Sequence, residues 1–168
     1  MKQLLLLRHA KSSWDEPDLP DRERPLAASG RRDAAALGAR LARRRLAIDR
    51  VLCSPSRRTR ETLALLALDS AIPVTFAEAL YLASARTLLT RLRRLPPRTR
   101  AVLVIGHDPG LEQLARSLAE RGRRKALQRL ARGFKTGALA ELRISEDGWR
   151  ALSPGTAYLE RFTRPKDL

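Results

Sequence analysis

Residues 1–14 read MKQLLLLRHAKSSW, and this stretch contains both the first predicted strand and the first candidate site. The run Leu4 to Leu7 is continuously apolar, which is typical of a central strand covered on both faces. It ends at Arg8 and His9, although the whole chain has only 2 histidines. The position of the second histidine therefore decides how the first should be interpreted.

The second histidine, His107, stands in the same kind of place. It follows the apolar run Ala101 to Ile105, which also predicts a buried strand. The carboxyl ends of parallel strands lie along one edge of a sheet, and open α/β sheets place their sites at that edge. We therefore expect His9 and His107 to lie close together.

Strands alternate with helices along the chain. Predicted strands cover Gln3 to Leu7, Arg50 to Cys53, Val74 to Phe76, Ala101 to Ile105 and Ala138 to Ile144. Apolar residues with helical spacing occupy the intervals Ala34 to Leu41, Ala85 to Leu92 and Leu111 to Leu118. This order predicts an α/β fold, a three-layer αβα sandwich with a mainly parallel central sheet. The length of 168 residues suits a single domain over residues 1–168.

Two strand-to-helix junctions resemble each other. Ser54 and Asp108 are each expected to be the N-cap of a helix, with Pro55 and Pro109 at the first helical position. Both junctions would place free backbone N–H groups at the carboxyl edge of the sheet, where anions bind.

The composition restricts the classes of function. The formal net charge is +16, but arginine is spread through every segment and aromatic residues are only 4%, which is few for a base-stacking surface. A basic nucleic-acid-binding domain is kept as an alternative from another class. The single cysteine excludes an internal disulfide framework, and no apolar run approaches the ~20 residues of a membrane span. We expect a cytoplasmic protein with no nucleic-acid or membrane partner.

The residues around the two histidines suit a phosphoryl group. Arg8 accompanies His9, and Arg57 or Arg58 follows the second predicted strand. Guanidinium groups match phosphate oxygens, and a neutral imidazole is a nucleophile toward phosphorus. Each histidine taken alone could be a structural group. Neither has a nearby carboxylate cluster or a second histidine at metal-ligand spacing, so no metal is expected.

Five motifs resemble the histidine phosphatase superfamily, also called phosphoglycerate mutase-like, and within it the small phosphohistidine phosphatases of the SixA type. In chain order they are LLLLRHAKS at 4–12, RPLAASG at 24–30, LCSPSRRTRET at 52–62, VLVIGHDPGL at 102–111 and, more weakly, FKTGALAEL at 134–142. The motif Ser-Pro-x-x-Arg of the family selects Arg58 rather than Arg57. Ala10 departs from the glycine that many members have after the histidine.

The resemblance implies a mechanism without a cofactor. His9 would attack phosphorus and become transiently phosphorylated, while Arg8, Arg58 and His107 hold the phosphoryl oxygens. Lys11, Ser12 and Arg24 are further candidates for binding the phosphate. The catalytic acid stays open: Glu78, in the loop after the third strand, is the nearest candidate, and Asp108 is a second one.

The substrate also stays open. The chain has little room for a closing lid, which favours a phosphate carried on a protein, as phosphohistidine. An imidazole leaving group, with a pKa near ~6.5, has less need of a proton donor than an alkoxide has. The alternative is a small-molecule phosphomonoesterase in which Glu78 is the proton donor.

Overall fold

The computed structural model describes residues 1–145 and 147–168. Seven strands form one sheet: β1 (Lys2–Arg8), β2 (Arg50–Cys53), β3 (Val74–Phe76), β4 (Ala101–Gly106), β5 (Arg121–Gly122), β6 (Leu139–Ile144) and β7 (Ala157–Thr163). Their order across the sheet is β3-β2-β4-β1-β6-β7-β5. Five α-helices accompany them: α1 (Ala28–Arg43), α2 (Arg57–Leu66), α3 (Ala85–Arg93), α4 (Gly110–Leu118) and α5 (Arg124–Ala131).

The predicted, mainly parallel α/β sheet is confirmed. Strands β3, β2, β4 and β1 run parallel to one another, whereas β6 is antiparallel to both β1 and β7. Strand β4 is paired along its whole length with β1, with Leu7 opposite Ile105 and Arg8 opposite Gly106. This register brings the residues that follow the two strands to the same edge.

Alternate side chains of β1 pack into two separate cores, one on each face of the sheet. Leu4 and Leu6 pack in a cluster with residues of α3, α4 and α5. Leu5 and Leu7 pack in a second cluster with residues of α1 and α2. All four leucines are almost completely buried, which explains why the sequence of this strand is continuously apolar.

The two predicted helix starts differ from the observed ones. Helix α2 begins at Arg57 after Ser56, two positions later than the Ser54 cap implied, and the Ser54 hydroxyl is bonded to His107 instead. Helix α4 begins at Gly110 after Pro109. The Asp108 carboxylate still accepts a hydrogen bond from the backbone N–H of Glu112 at 3.2 Å. Both helices nevertheless start at the carboxyl edge, as expected.

No helix among residues 1–145 and 147–168 combines the length and the apolar character needed to cross a membrane.

Candidate active site

The two histidines meet at the carboxyl edge of the sheet. His9 follows β1 and His107 follows β4, and their ring centroids are 5.4 Å apart at an interplanar angle of 53°. The backbone N–H of His9 donates to the carbonyl of Gly106 at 3.1 Å, which ties the two junctions together. The expected juxtaposition of the histidines is therefore present.

The hydrogen bonds of His9 define which ring nitrogen can react. Its Nδ1 lies 2.7 Å from the carbonyl oxygen of Ala10. A carbonyl only accepts, so Nδ1 carries the proton and, in the neutral ring, Nε2 carries the lone pair. Burial lowers the pKa of His9 to about 4. The imidazole is thus neutral near pH 7, as a nucleophile must be.

His107 is held in the opposite tautomer. Arg58 Nη2, which can only donate, lies 3.4 Å from His107 Nδ1. The lone pair is therefore on Nδ1, and Nε2–H donates to the Ser54 hydroxyl at 2.7 Å. Burial, followed by the charge of Arg58, lowers the pKa of His107 to about 3. Ser54 was expected to cap a helix and instead orients this ring.

The structure distinguishes between the two adjacent arginines of α2. Arg58 is 4% exposed and lines the cavity with the histidines. Arg57 is exposed and faces Glu61, with 3.7 Å between Nε and the carboxylate. Arg8, the other candidate, donates to the carbonyl of Phe134 at 2.8 Å. Arg8 and Arg58 thus bring two guanidinium groups to the histidines.

A third arginine is fixed beside them by the loop that follows His9. The buried Arg24 donates to the Ser12 hydroxyl at 3.1 Å and to the carbonyl of Ser13 at 3.3 Å. Its guanidinium also stacks on the ring of Trp14, with 3.0 Å from Cζ to the ring centroid. The bonds to Arg24 place Ser12 at the site, and Lys11 is exposed at the cavity rim.

These side chains surround an open cavity of about 630 Å³. The sequence-predicted residues that line it are Arg8, His9, Lys11, Ser12, Arg24, Arg58, His107 and Asp108. The other lining residues are Trp14, Asp21, Leu82 and Thr136. Four cationic side chains face two carboxylates, so the cavity is positively charged while both imidazoles are neutral. It is suited to an anion.

Asp21 is a site residue that the sequence analysis did not identify. It lies in a 3₁₀ turn, Asp21–Glu23, and its carboxylate accepts from Arg58 Nη2 at 3.0 Å. The hydroxyl of Tyr81 donates to the same oxygen, and this bond is the main reason that the pKa of Asp21 is lowered. Arg58 and Tyr81, which bind this oxygen, are 37 and 60 positions away in the chain, so no local pattern could reveal these contacts.

The two candidates for a catalytic acid occupy different environments. Glu78 is not among the residues that line the cavity; it is exposed, and both its oxygens accept from Arg22 at 2.7 Å. Those bonds lower the pKa of Glu78. Asp108 lines the cavity, with one oxygen 3.6 Å from Arg8 Nη1, and its pKa is raised by burial. The structure thus brings Asp108, but not Glu78, to the histidines.

Comparisons with known proteins place the chain in a family. Residues 4–81 match the model of the histidine phosphatase superfamily, branch 1. The uncharacterized protein Rv1276c of Mycobacterium tuberculosis is 37% identical over 163 residues, which cover 95% of this chain and 100% of that protein.

Two solved structures share the fold. One is that of the "putative phosphohistidine phosphatase SixA" from Nakamurella multipartitia, with a TM-score of 0.82, 28% identity, and coverage of 98% of this chain and 96% of that one. The other, the protein histidine phosphatase SixA complexed with tungstate, has a TM-score of 0.77 and 22% identity, and covers 98% of both chains. The phosphoglycerate mutase-like fold class is confirmed.

The family match includes the segments that carry His9 and Arg58, and the full-length relative extends the likeness over nearly the whole chain. Together with a cationic cavity built around two neutral histidines, this makes the protein a phosphatase, and the chain belongs to the histidine phosphatase superfamily.

Proposed function

We propose that this phosphatase works through a phosphohistidine intermediate on His9 and acts on phosphohistidine carried by a protein. The observation that supports an intermediate on His9 is the hydrogen bond from its Nδ1 to the Ala10 carbonyl, because this bond leaves the Nε2 lone pair free to react. In the first step Nε2 forms a bond to phosphorus, the bond from phosphorus to the leaving group breaks, and the leaving group takes up a proton from solvent water. In the second step water attacks phosphorus and releases a proton to the solvent, the bond between Nε2 and phosphorus breaks, and inorganic phosphate leaves neutral His9 behind.

The surrounding cations stabilise the charge of the transferring group. Arg8 and Arg58 donate to its equatorial oxygens, and such positioning with electrostatic stabilisation dominates phosphoryl transfer. The arriving dianion raises the pKa of His107, so that its imidazole gains a proton on Nδ1 and becomes a further donor. Arg24, Lys11 and Ser12 extend the set of donors toward the cavity rim.

Two observations support a protein substrate. The cavity is open, and two large apolar residues at its rim, Trp14 and Leu82, are 72% and 55% exposed. A displayed side chain can therefore enter while its carrier contacts the rim. The solved structures described as SixA proteins, which share this fold, point to the same class of substrate.

The need for a proton donor separates this substrate from the alternative, a small phosphate ester. An alkoxide leaving group requires a strong acid, whereas the imidazole of phosphohistidine departs more readily. The pKa of Glu78 is lowered by its bonds to Arg22, which makes it a poor donor. We therefore expect Glu78→Gln to leave phosphohistidine hydrolysis nearly unchanged. A clearly higher kcat/KM of the wild type for a common metabolite ester would contradict the preference.

The nucleophile is tested by trapping. Acid-labile phosphate should accumulate on the wild type, quenched during turnover of an aryl phosphate, and be absent from His9→Ala, which should be inactive. Wild-type turnover by His9→Ala would overturn the assignment.

The adjacent arginines of α2 provide a matched pair for the phosphoryl-binding role. Arg58→Ala should lower kcat/KM by at least about 100-fold, since one lost donor to the transferring group costs this much in comparable sites. Arg57→Ala should change it less than about twofold, because Arg57 lies outside the cavity. Equal effects of the two substitutions would contradict the assignment.

A further inference from the structure

A second concavity, of about 350 Å³, adjoins the active-site cavity. Six cationic side chains line this basic groove, and Asp33 is the acidic one among its described lining residues. The cations are Lys11, Arg129, Arg132, Lys135, Arg164 and Lys166. Lys11 and Thr136 line both the groove and the cavity around His9, so the two concavities share a wall.

Part of the groove is a rigid frame. The Asp167 carboxylate accepts from Arg164 at 2.9 and 3.0 Å and lies 3.0 Å from Arg129, and the bonds from Arg164 lower the pKa of Asp167 to about 2. Arg129 also donates to the carbonyl of Phe162 at 2.9 Å. These two arginines are therefore held in place.

The remaining cations are free to meet a partner. Lys11, Arg132, Lys135 and Lys166 are exposed, and none of them has an ion-pair partner within the described part of the chain. The groove thus presents uncompensated positive charge beside the nucleophile.

The backbone connects the groove to the nucleophile. Arg8 donates to the carbonyl of Phe134, and the N–H of Gly137 bonds to the carbonyl of His9 at 2.9 Å. A molecule seated in the groove is therefore held at a fixed position relative to His9. Since Lys11 and Thr136 line both the groove and the cavity, one large ligand can contact both.

We propose that the basic groove binds an acidic surface of the phosphoprotein substrate, next to the phosphorylated side chain. This inference rests on the proposed function and adds to it a docking surface and the charge of the partner. Complementary charge of this kind mainly accelerates association and fixes the orientation of the partner. The groove is a local concentration of cations at the site, in contrast to the dispersed arginines of the chain as a whole.

A double charge reversal tests the proposal. Lys135→Glu/Lys166→Glu changes two exposed groove residues that do not line the catalytic cavity. The control, Arg98→Glu/Arg150→Glu, alters the net charge equally at two exposed residues near the amino ends of β4 and β1. The substrates are an aryl phosphate and a phosphohistidine phosphotransfer domain with acidic residues around its histidine. A third substrate is the same domain with those acidic residues changed to lysine.

The groove variant should lose about tenfold or more in kcat/KM for the acidic domain, mainly through KM, and keep its activity on the aryl phosphate. It should act better than the wild type on the lysine-bearing domain. The control should match the wild type on all three substrates. An unchanged KM for the acidic domain, or an equal loss on the aryl phosphate, would overturn the docking role.

Binding separates failure of this inference from failure of the proposed function. The unphosphorylated acidic domain should bind the wild type at 0.15 M salt and bind the groove variant at least about tenfold more weakly, whether or not its phosphohistidine is hydrolysed. If the enzyme hydrolysed only the aryl phosphate but still bound the acidic domain through the groove, the proposed substrate would be refuted and the docking role of the groove would stand. Retention of double-stranded DNA at 0.15 M salt in preference to the acidic domain would overturn the proposal in favour of nucleic acid.

Discussion

At the scale of the residue, His9 and His107 lose most of their contact with water when the sheet forms, and this loss fixes their protonation. Removing water penalises the charged imidazolium, and the neighbouring guanidinium groups of Arg8 and Arg58 penalise it further. The tautomer of each ring is defined by the partner of its Nδ1, which is a carbonyl acceptor for His9 and a guanidinium donor for His107. The cationic pocket therefore keeps the nucleophile in its reactive form before substrate arrives.

The protonation of the histidines can be measured directly, since the chain contains only 2 of them. We expect both imidazoles to stay neutral at pH 5.5 in the free enzyme, because burial lowers their pKa values to about 4 and about 3. Nitrogen-15 spectra of histidine-labelled protein, recorded between pH 8 and 4.5, provide the measurement. In urea the same resonances should titrate near ~6.5, which serves as the control. A native-state midpoint near 6.5 would contradict the expectation.

Ser54 should act as a positioning residue for His107. Ser54→Ala removes the acceptor of the buried His107 Nε2–H, which costs about 1–3 kcal/mol. We expect lower stability by this amount and a fall of about tenfold in kcat. The Nε2 resonance of His107 should shift, because this nitrogen loses its acceptor while Arg58 still faces Nδ1, and a loss of stability elsewhere would not move it. Ser153→Ala, at an exposed hydroxyl remote from the site, is the control; an unaltered His107 spectrum in Ser54→Ala would refute the role.

Individual site residues were predictable only where a motif marked them. His9, His107 and the two arginines beside them follow from strand ends and motif spacing. Ser54 was recognised as important but for the wrong bond, because a serine before a helix predicts a cap equally well. Asp21 gave no signal at all, since its position is set by contacts with Arg58 and Tyr81 from distant segments.

At the scale of the element, close backbone contacts hold the loop after β1. In helix α1, a Cβ at Gly30 would lie 2.2 Å from the carbonyl oxygen of Lys11. The N–H of Ala27 also donates to that oxygen at 2.9 Å. The glycine of the motif RPLAASG therefore allows the start of the helix to approach the loop that carries Lys11 and Ser12.

Replacing this glycine should disturb both packing and binding. Gly30→Ala should lower the free energy of unfolding by about 1–3 kcal/mol, as overpacking typically does, and raise KM because Ser12 and Lys11 are displaced. Urea denaturation and steady-state kinetics provide the measurements. Gly106→Ala is the matched control, because a Cβ there would meet only the Leu111 side chain at 3.7 Å. Equal effects of the two variants would show that the contact is unimportant.

Sequence patterns predicted the central elements and missed the far end of the sheet. Strands β1 and β4 were recognisable as continuous apolar runs, and helix-start signals follow β2 and β4. Strand β7 escaped notice because the register with β6 shifts between Glu141 and Leu142, which breaks the alternation of buried residues. Strand β5 has only 2 residues and lies one residue before α5, which is too short for a recognisable strand pattern.

At the scale of the whole molecule, the buried site makes folding sensitive to acid. The pKa of each histidine is lower in the folded protein than the value near 6.5 of a histidine in water. Between pH 6.5 and the folded pKa, the unfolded chain therefore binds more protons than the native one. The buried neutral imidazoles make their full contribution to the free energy of unfolding above about pH 7. This contribution is lost as the pH falls through this window. One pKa unit corresponds to about 1.4 kcal/mol. Each histidine should therefore lower the free energy of unfolding by about 2 kcal/mol at pH 5, relative to neutral pH.

This linkage predicts that a histidine substitution flattens the acid dependence of stability. His107→Asn cannot take up a proton in the unfolded state, so its free energy of unfolding should fall by about 2 kcal/mol less than that of the wild type between pH 7.5 and pH 5. Urea denaturation at pH 7.5, 6 and 5 measures the two slopes, and the difference between them removes the contribution of carboxylates common to both proteins. Any constant loss of stability in the variant also cancels, because only the change with pH is compared. Parallel slopes would mean that His107 is protonated as easily in the native site as in water, which is incompatible with a neutral ring held between Ser54 and Arg58.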